Sequence, residues 1–137
     1  MTDKELVELS IKARENSYSP YSNFRVGAAL LSKSGKVYTG CNVENASYGI
    51  CMCAERVALG KAVSEGETEF EAIAISGALK DKEIKEACAP CGICRQAIAE
   101  FCDGDFKVLL AKEGGYERLK LSELLPHSFS KNSLIGD

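Results

Sequence analysis

The residues of this sequence best suited to chemistry are three thiols and one carboxylate in two short stretches. Cys53 and Glu55 lie two positions apart, and Cys91 and Cys94 follow in the stretch PCGIC at 90–94. Thiolates are common zinc ligands, and a catalytic zinc ion keeps one coordination position free of protein ligands. A carboxylate beside the ion can carry protons. The spacing therefore predicts a catalytic zinc held by the three cysteines, with Glu55 as a neighbouring acid that is not a ligand.

Two other interpretations of the same cysteines stay open. A structural zinc site takes four protein ligands, usually in pairs separated by two to four residues. Cys51 or Cys88 could supply a fourth thiol, although the single residue between Cys51 and Cys53 suits such a pair poorly. The two cysteines of PCGIC alone could also form a redox pair. The combination with Glu55 favours catalysis, and a zinc-stabilised binding module without turnover is the alternative.

Both cysteine stretches precede apolar residues at helical spacing, so each stretch is predicted at a helix N-terminus. The free N–H groups and the positive dipole end there lower the pKa of a thiol. Three thiolates around Zn²⁺ leave a net charge of about -1, which calls for a nearby cation. Arg56, one turn after Cys53, is the candidate, with a surface ion pair as the alternative.

Composition limits the kind of protein to which this site belongs. The chain has 137 residues, which suits one domain spanning 1–137, with a net charge of -3. Its 17 basic residues are scattered, which argues against nucleic acid or an acidic membrane as partner. We expect a cytoplasmic protein, because no apolar run approaches the length of a membrane span. Disulfides are not expected in that compartment, and the remaining cysteines are expected to be buried as small hydrophobic residues: Cys41, Cys51, Cys88 and Cys102.

The order of predicted elements is αββαβαββα, which indicates a layered α/β domain with a mixed sheet. The chain begins with a helix under a capping box of Thr2 and Glu5. A turn at Ser34-Gly35 joins the first two strands, and the apolar run Ala28 to Leu31 indicates a strand buried on both faces. Ser122 is predicted to cap the last helix. The predicted strands are 24–33, 36–42, 70–77, 106–111 and 116–121, and the later helices start at 53, 91 and 122 and end at 66, 103 and 126.

Beyond the cysteine motifs, several stretches resemble the small cytidine deaminases. They are YSPYS at 18–22, FRVGAAL at 24–30, NVENA at 42–46, and LLP at 124–126 followed by Phe129. With Cys53-Ala54-Glu55 and PCGIC, they match the all-cysteine type of zinc deaminase. The resemblance implies a three-layer α/β/α sandwich with a mixed five-stranded sheet. It also implies a homotetramer with shared active sites, one Zn²⁺ per chain, and hydrolysis of cytidine and deoxycytidine to uridine and deoxyuridine.

The resemblance also implies individual roles. Cys53, Cys91 and Cys94 would bind zinc, and Glu55 would pass protons from water to N3 of the base and to the departing amine. The Cys91 carbonyl would accept from that amine. For the base, the implied contacts are Ala54 with O2, and Phe24 and Phe129 around the ring. For the sugar, they are Asn42 and Glu44 with the ribose hydroxyls, and Ala46 and Tyr48 near the 5′ end. Of these residues, Tyr48 and Phe129 would come from neighbouring subunits.

The preferred substrate is a free nucleoside. Glu44 near the sugar, the acidic chain and the lack of a glycine-rich phosphate loop all disfavour a phosphorylated substrate. A blasticidin-type deaminase with the same zinc core is the nearest alternative enzyme. Phe24 could equally be a plain core aromatic, and His127, far along the chain from the cysteines, is read as a surface or interface residue.

Overall fold

The computed structural model describes residues 1–136, which form five strands and five α-helices. The predicted order of elements is confirmed, with one more helix after it. In chain order the elements are α1 (Asp3–Ala13), β1 (Phe24–Ser32), β2 (Val37–Cys41), α2 (Ala54–Ser64), β3 (Phe70–Leu79), α3 (Gly92–Ala99), β4 (Lys107–Lys112), β5 (Gly115–Lys120), α4 (Leu121–Leu124) and α5 (Lys131–Ile135).

The sheet has the strand order β2-β1-β3-β4-β5 and is mixed, as predicted. β1 pairs antiparallel with both β2 and β3, and β5 pairs antiparallel with β4. β3 and β4 run parallel, with Ala74 opposite Leu109. A parallel pair needs a crossover connection, and α3 lies in it. The second cysteine stretch therefore lies in the connection between these two parallel strands.

Helices cover both faces of the sheet, which makes the predicted three-layer sandwich. Successive residues of a strand point to opposite faces, so Ala28 and Leu30 pack toward α2 and α3 while Ala29 and Leu31 pack toward α1. All four side chains are buried. The prediction that β1 is buried on both faces is confirmed.

Two glycines allow the helices to approach the sheet closely. A Cβ on Gly27 in β1 would lie 2.6 Å from the backbone nitrogen of Arg14, just after α1. A Cβ on Gly40 in β2 would lie 2.6 Å from the backbone nitrogen of Ala58 in α2. Because backbone atoms cannot move aside cheaply, any larger residue would push these helices outward. Gly40 thus sets how closely α2, which begins at the first cysteine stretch, lies against the sheet.

The predicted capping box begins α1. The Thr2 hydroxyl accepts a hydrogen bond from the Glu5 amide at 3.1 Å, and the Thr2 amide donates to the Glu5 carboxylate at 3.4 Å. Asp3 in the first turn pairs with Lys107 of β4 at 2.6 Å. These contacts fix α1 on the face of the sheet opposite the cysteines.

The C-terminal part differs from the prediction. Ser122 does not cap the last helix; α4 begins at Leu121 with Lys120 as its N-cap, and the Lys120 amide donates to the Glu123 carboxylate at 2.9 Å. The buried Leu121 side chain fixes this start, because β5 passes directly into the helix. A further helix, α5, follows it.

The other differences from the prediction are small. Helix α3 ends at Ala99, before the predicted stop at 103, and β3 runs on to Leu79. Cys41, Cys51, Cys88 and Cys102 are partly rather than fully buried. Within residues 1–136, none of the helices has the length and apolarity needed to cross a membrane.

Candidate active site

The sulfur atoms of Cys53, Cys91 and Cys94 lie together, all within 4.8 Å of one another. The sulfur of Cys91 is 3.8 Å from that of Cys53 and 3.5 Å from that of Cys94. Tetrahedral zinc with Zn–S bonds of about 2.3 Å separates two sulfur ligands by roughly 3.8 Å. The three thiols therefore fit a zinc ion in both donor chemistry and spacing.

This trio is the one group of potential metal ligands found among residues 1–136, and it contains no fourth thiol. Cys51 and Cys88 lie outside it, and so does Glu55. A structural zinc site would need a fourth protein ligand. The grouping therefore matches a site with an open position rather than a closed structural one.

Two helix N-termini hold the thiols. Cys53 is the N-cap residue of α2 and Cys91 is the N-cap residue of α3, and neither side chain caps its own helix with a hydrogen bond. Cys94 lies in the first turn of α3 and is fully buried. A helix N-terminus carries free N–H groups and the positive end of the helix dipole, so both helix starts favour the thiolate forms that bind metal.

The charge of the thiolates is spread over a small network. The nearby Cys94 thiol, followed by contacts with Arg56 and Cys91, lowers the pKa of Cys53 to about 5 despite its partial burial. The same thiolate and burial raise the pKa of Cys94. Cys53 therefore ionises before Cys94, and a bound metal would be needed to ionise Cys94 as well.

Arg56 lies beside this network. Its Nη2 atom is 3.8 Å from the Cys53 sulfur and donates to the Cys51 carbonyl at 3.3 Å. Its Nε atom is buried and makes no hydrogen bond within the described part of the chain. Contact with the Cys53 thiolate raises the pKa of Arg56, so the guanidinium stays charged.

Glu55 is buried next to the thiols, with 4% of its surface exposed. Burial raises the pKa of its carboxyl group, with the nearby Cys53 thiolate adding to the effect. A carboxyl group in such a place can hold a proton closer to neutral pH than an exposed one can. It has the properties of a general acid and base.

A cavity of about 280 Å³ opens onto Glu55 and the thiols. The size suits a small molecule and the wall is largely apolar. Eleven residues line it: Val26, Asn42, Glu44, Cys51, Met52, Cys53, Ala54, Glu55, Cys88, Ala89 and Cys91. A larger cavity of about 470 Å³ lies at the far end of α3, away from every thiol of the trio.

The Asn42 side chain lies at the cavity but is largely engaged by the protein itself. Its Oδ1 accepts hydrogen bonds from the Val26 amide at 2.9 Å and from the Ser17 hydroxyl. Its Nδ2 donates to the Phe24 carbonyl at 2.8 Å. One N–H of the amide is left for a ligand. Asn42 therefore also ties the start of β1 to the loop before it.

Glu44 organises the loop on the other side of the cavity. Its carboxylate accepts from the amides of Tyr21 and Ser22 at 3.0 and 3.2 Å, and from the Ser22 hydroxyl at 2.5 Å. The Ser22 hydroxyl is the main cause of a lowered pKa for Glu44, so this carboxylate is ionised at neutral pH. It places a fixed negative charge at the cavity wall.

The Cytidine and deoxycytidylate deaminase zinc-binding region matches residues 1–110 of the chain. The chain belongs to this deaminase family. It is 46% identical to a cytidine deaminase of Sporosarcina psychrophila, covering 98% of this chain and 96% of the relative. It is 47% identical to a cytidine deaminase of Halalkalibacterium halodurans, covering 98% of each. A crystal structure of cytidine deaminase from Burkholderia pseudomallei superposes with a TM-score of 0.86 at 47% identity, covering 94% of this chain and 100% of that one.

Four residues that the deaminase resemblance points to do not line the cavity of this single chain. Tyr48 is 70% exposed and packs edge to face on Tyr21, and Phe129 is 61% exposed on the C-terminal side. Ala46 is exposed in the loop before Tyr48. Phe24 lies against Gly77, where an added Cβ would come within 3.0 Å of its ring. A single chain thus brings together the three thiols, Glu55 and the residues of one cavity wall. The aromatic rings of Phe24, Tyr48 and Phe129 lie at its surface.

Two residues of the site region have positions that the sequence did not predict; one of them, Cys88, was considered there only as a possible fourth zinc ligand. Cys88 lines the cavity beside Gly77, and burial raises its pKa to about 11, so it is a neutral thiol. Arg95 donates from Nε to the Pro90 carbonyl at 2.7 Å and so supports the second cysteine stretch. The only signal was position: Cys88 precedes the deaminase motif closely, and Arg95 follows it directly.

Proposed function

We propose that this protein hydrolyses cytidine and deoxycytidine to uridine and deoxyuridine with release of ammonia. The observation that carries the proposal is the trio of thiols at tetrahedral spacing beside the buried, non-ligand Glu55, at the wall of a small cavity. Relatives named cytidine deaminases, 46% and 47% identical over nearly the whole chain, support this choice of substrate over a blasticidin-type one.

Cys53, Cys91 and Cys94 would hold one Zn²⁺ per chain. Zinc with three protein ligands supplies a Lewis acid that makes water nucleophilic near neutral pH. The guanidinium of Arg56, 3.8 Å from the Cys53 sulfur, offsets the excess negative charge of three thiolates. Without this cation, the ligand shell would oppose loss of a proton from the attacking water.

Glu55 would move the protons. Its carboxylate takes a proton from the attacking water and delivers it to N3 of the pyrimidine as the C4–O bond forms. The proton of the new C4 hydroxyl then passes through the same carboxyl to the amine, so that the C4–N bond breaks, ammonia leaves and C4=O forms. One water is consumed for each nucleoside. Because burial raises the pKa of Glu55, the carboxyl can both accept and return a proton in this cycle.

The cavity would take the nucleoside with its base toward the thiols. The Ala54 N–H at the start of α2 would donate to O2 of the base, and the Cys91 carbonyl, which already accepts from the Arg95 amide at 2.9 Å, has a second lone pair for the amine. The remaining N–H of Asn42 and the fixed charge of Glu44 suit ribose hydroxyls. A 5′-phosphate would be repelled by Glu44, which favours a free nucleoside.

The exposed aromatic rings favour a shared site. Tyr48 and Phe129 would enter the cavity of a neighbouring copy, with Phe24 at the base and Ala46 near the 5′ end, in a cytoplasmic homotetramer. Tyr48 and Phe129 are 70% and 61% exposed in one chain, and aromatic residues are enriched at interfaces between chains. Neither nucleic acid nor membrane is proposed as a partner.

The test is direct turnover. Purified protein containing one zinc per chain should consume cytidine, followed by pyrimidine absorbance, and release an equal amount of ammonia. Blasticidin S serves as the competing substrate, and a larger kcat/KM for it would favour that alternative. Full zinc content with no loss of either substrate would favour the binding module.

A further inference from the structure

The segment after α4, residues 125–132, makes little apolar contact with the rest of the protein beyond Leu125, which packs against the core. We call it the C-terminal segment. A cavity of about 470 Å³ separates much of it from the far end of α3, and its side chains are mostly exposed. Burial therefore does little to fix its position. Polar contacts from α3 matter more here than in a packed element.

Two consecutive side chains of α3 supply these contacts. Arg95 donates from Nη1 to the Leu124 carbonyl at 2.6 Å, immediately before the segment. Gln96 donates from Nε2 to the Phe129 carbonyl at 2.7 Å, in its middle. In both hydrogen bonds the acceptor is a backbone carbonyl, so they fix the path of the chain. The Phe129 ring stays free to point outward.

Arg95 also contacts the metal-binding stretch. Its Nε donates to the Pro90 carbonyl at 2.7 Å, directly before Cys91, and its side chain is partly buried. The guanidinium is a planar fork with fixed donor directions, so one side chain holds both carbonyls at a set separation. Arg95 thereby joins the stretch carrying two of the three thiols to the start of the C-terminal segment.

We propose that Arg95 and Gln96 are positioning residues that hold the C-terminal segment, and with it Phe129, in register with the metal-binding stretch. Arg95 acts on both sides, and Gln96 acts on the segment alone. The link to substrate binding rests on the proposed function, in which Phe129 serves the cavity of a neighbouring copy. The link between segment and metal site does not.

Gln96→Glu tests the second contact. The variant keeps the size of the side chain but replaces the donor with a carboxylate facing the Phe129 carbonyl. Loss of a hydrogen bond worth about 1 kcal/mol corresponds to roughly a fivefold change, so amide hydrogen exchange in 125–132 should rise about fivefold. The KM for cytidine should rise about fivefold with kcat nearly unchanged, and zinc content should stay at one per chain. Gln96→Lys restores a donor and should recover part of both losses.

Arg95→Met tests the double contact. It keeps an apolar stem but removes both donors, so exchange in the segment should rise and zinc should pass to a chromogenic chelator about tenfold faster. Arg95→Lys has a single ammonium, which cannot serve both carbonyls at once. Its exchange and zinc-release rates should lie between those of the wild type and of Arg95→Met. Glu100→Gln, an exposed change just after α3, is the control and should match the wild type in both measurements.

The outcomes separate this proposal from the proposed function. If amide hydrogen exchange in residues 125–132 stays at the wild-type rate in both Gln96→Glu and Arg95→Met, the positioning role is wrong. Unchanged zinc loss in Arg95→Met overturns the link to the metal site. Hydrogen exchange and zinc release need no turnover, so a protein that fails to consume cytidine would end the proposed function and leave this test standing. If Arg95→Met does not fold, the exchange and zinc-release rates of Arg95→Lys and the exchange rate of Gln96→Glu decide between these outcomes.

Discussion

The guanidinium of Arg56 lies 3.8 Å from the sulfur of Cys53, which comes one helical turn earlier on α2. The same side chain donates to the Cys51 carbonyl, and this hydrogen bond holds the guanidinium beside the Cys53 thiol. Helix geometry alone brings residues three apart onto one face. A chain that begins a helix at one metal ligand therefore carries a cation for that ligand at little cost in chain entropy.

The first prediction follows from this pair. Arg56→Gln removes the positive charge while keeping a polar side chain, so the thiolate shell becomes more negative. We expect zinc to be retained and kcat to fall about 10- to 100-fold, the range typical for residues around metal ligands. Arg56→Lys keeps the positive charge, so its kcat should fall less than that of Arg56→Gln. Metal analysis and steady-state kinetics measure both, with the exposed Arg118→Gln as control; an unaltered kcat would contradict the charge argument.

The second prediction concerns Glu55. Glu55→Ala removes the proton carrier and should lower kcat by at least 10²- to 10⁴-fold, the usual contribution of general acid and base catalysis. Zinc content should stay near one per chain, because the carboxylate lies outside the thiol trio. Loss of zinc together with activity would mean that Glu55 is a ligand after all.

Phe129 gives the third prediction. Its ring is 61% exposed within its own chain, so Phe129→Ala should leave the fold of each chain intact. The KM for cytidine should nevertheless rise several-fold if the ring serves a neighbouring site. Leu134→Ala, at a residue that is 76% exposed in α5, is the matched control. A KM equal to that of the wild type would remove the shared site from the proposal.

The fourth prediction separates the two roles of Asn42. Asn42→Ala leaves the Val26 amide and the Phe24 carbonyl without their partner, and each such loss costs about 1–3 kcal/mol. Chemical denaturation should therefore show a protein destabilised by roughly 2–6 kcal/mol, in addition to any rise in KM. Asn45→Ala, whose side chain accepts only a local bond from the Ser47 amide, should change stability far less. Equal stability of the two variants would show that the Asn42 network is unimportant.

The fifth prediction concerns pH and Glu67. The Ser32 hydroxyl donates to its carboxylate at 2.6 Å, and this bond, with smaller contributions from the nearby hydroxyls of Ser34 and Tyr38, lowers the pKa of Glu67 to about 2. The ordinary value of 4.5 applies in the unfolded chain. The stabilising contribution is thus fully present above about pH 4.5 and is lost as pH falls toward 2.

Thermal unfolding between pH 2 and 6 measures this contribution. In Glu67→Gln, the Tm should fall less steeply with acid than in the wild type over that window. Glu71→Gln, at an exposed position of β3, should follow the wild-type curve. Parallel curves for Glu67→Gln and wild type would show that Glu67 does not titrate as described.

The elements that sequence predicted well are those set by local chemistry. The turn at Ser34-Gly35, the capping box of Thr2 and Glu5, and the apolar run in β1 each depend on a few neighbouring residues, and all three were found. The grouping of the thiols was also predictable, because both stretches begin helices that share one end of the sheet. Ser122 misled because it is a good capping residue, while burial of Leu121 decided the helix start instead.

The contacts that escaped prediction join residues far apart in sequence. Nothing local to Arg95 shows that its guanidinium reaches a carbonyl 29 residues further along the chain. The Asn42 amide reads as a ligand for sugar, yet most of its hydrogen-bonding capacity is used by the Ser17 and Val26 regions. Side chains with several donors or acceptors choose partners only once the backbone has brought candidates together, so their roles need the three-dimensional arrangement.

The separation of the two cysteine stretches has a thermodynamic consequence. Cys53 and Cys91 are 38 residues apart, and the whole of α2 and β3 lies between them. An ion bound by both would close a loop of that length, and a crosslink of this size removes chain entropy from the unfolded state worth on the order of 4 kcal/mol. Zinc would then act as a removable staple across the middle of the domain. Resistance to unfolding would rise and fall with the concentration of free metal, even in a variant that cannot turn over substrate.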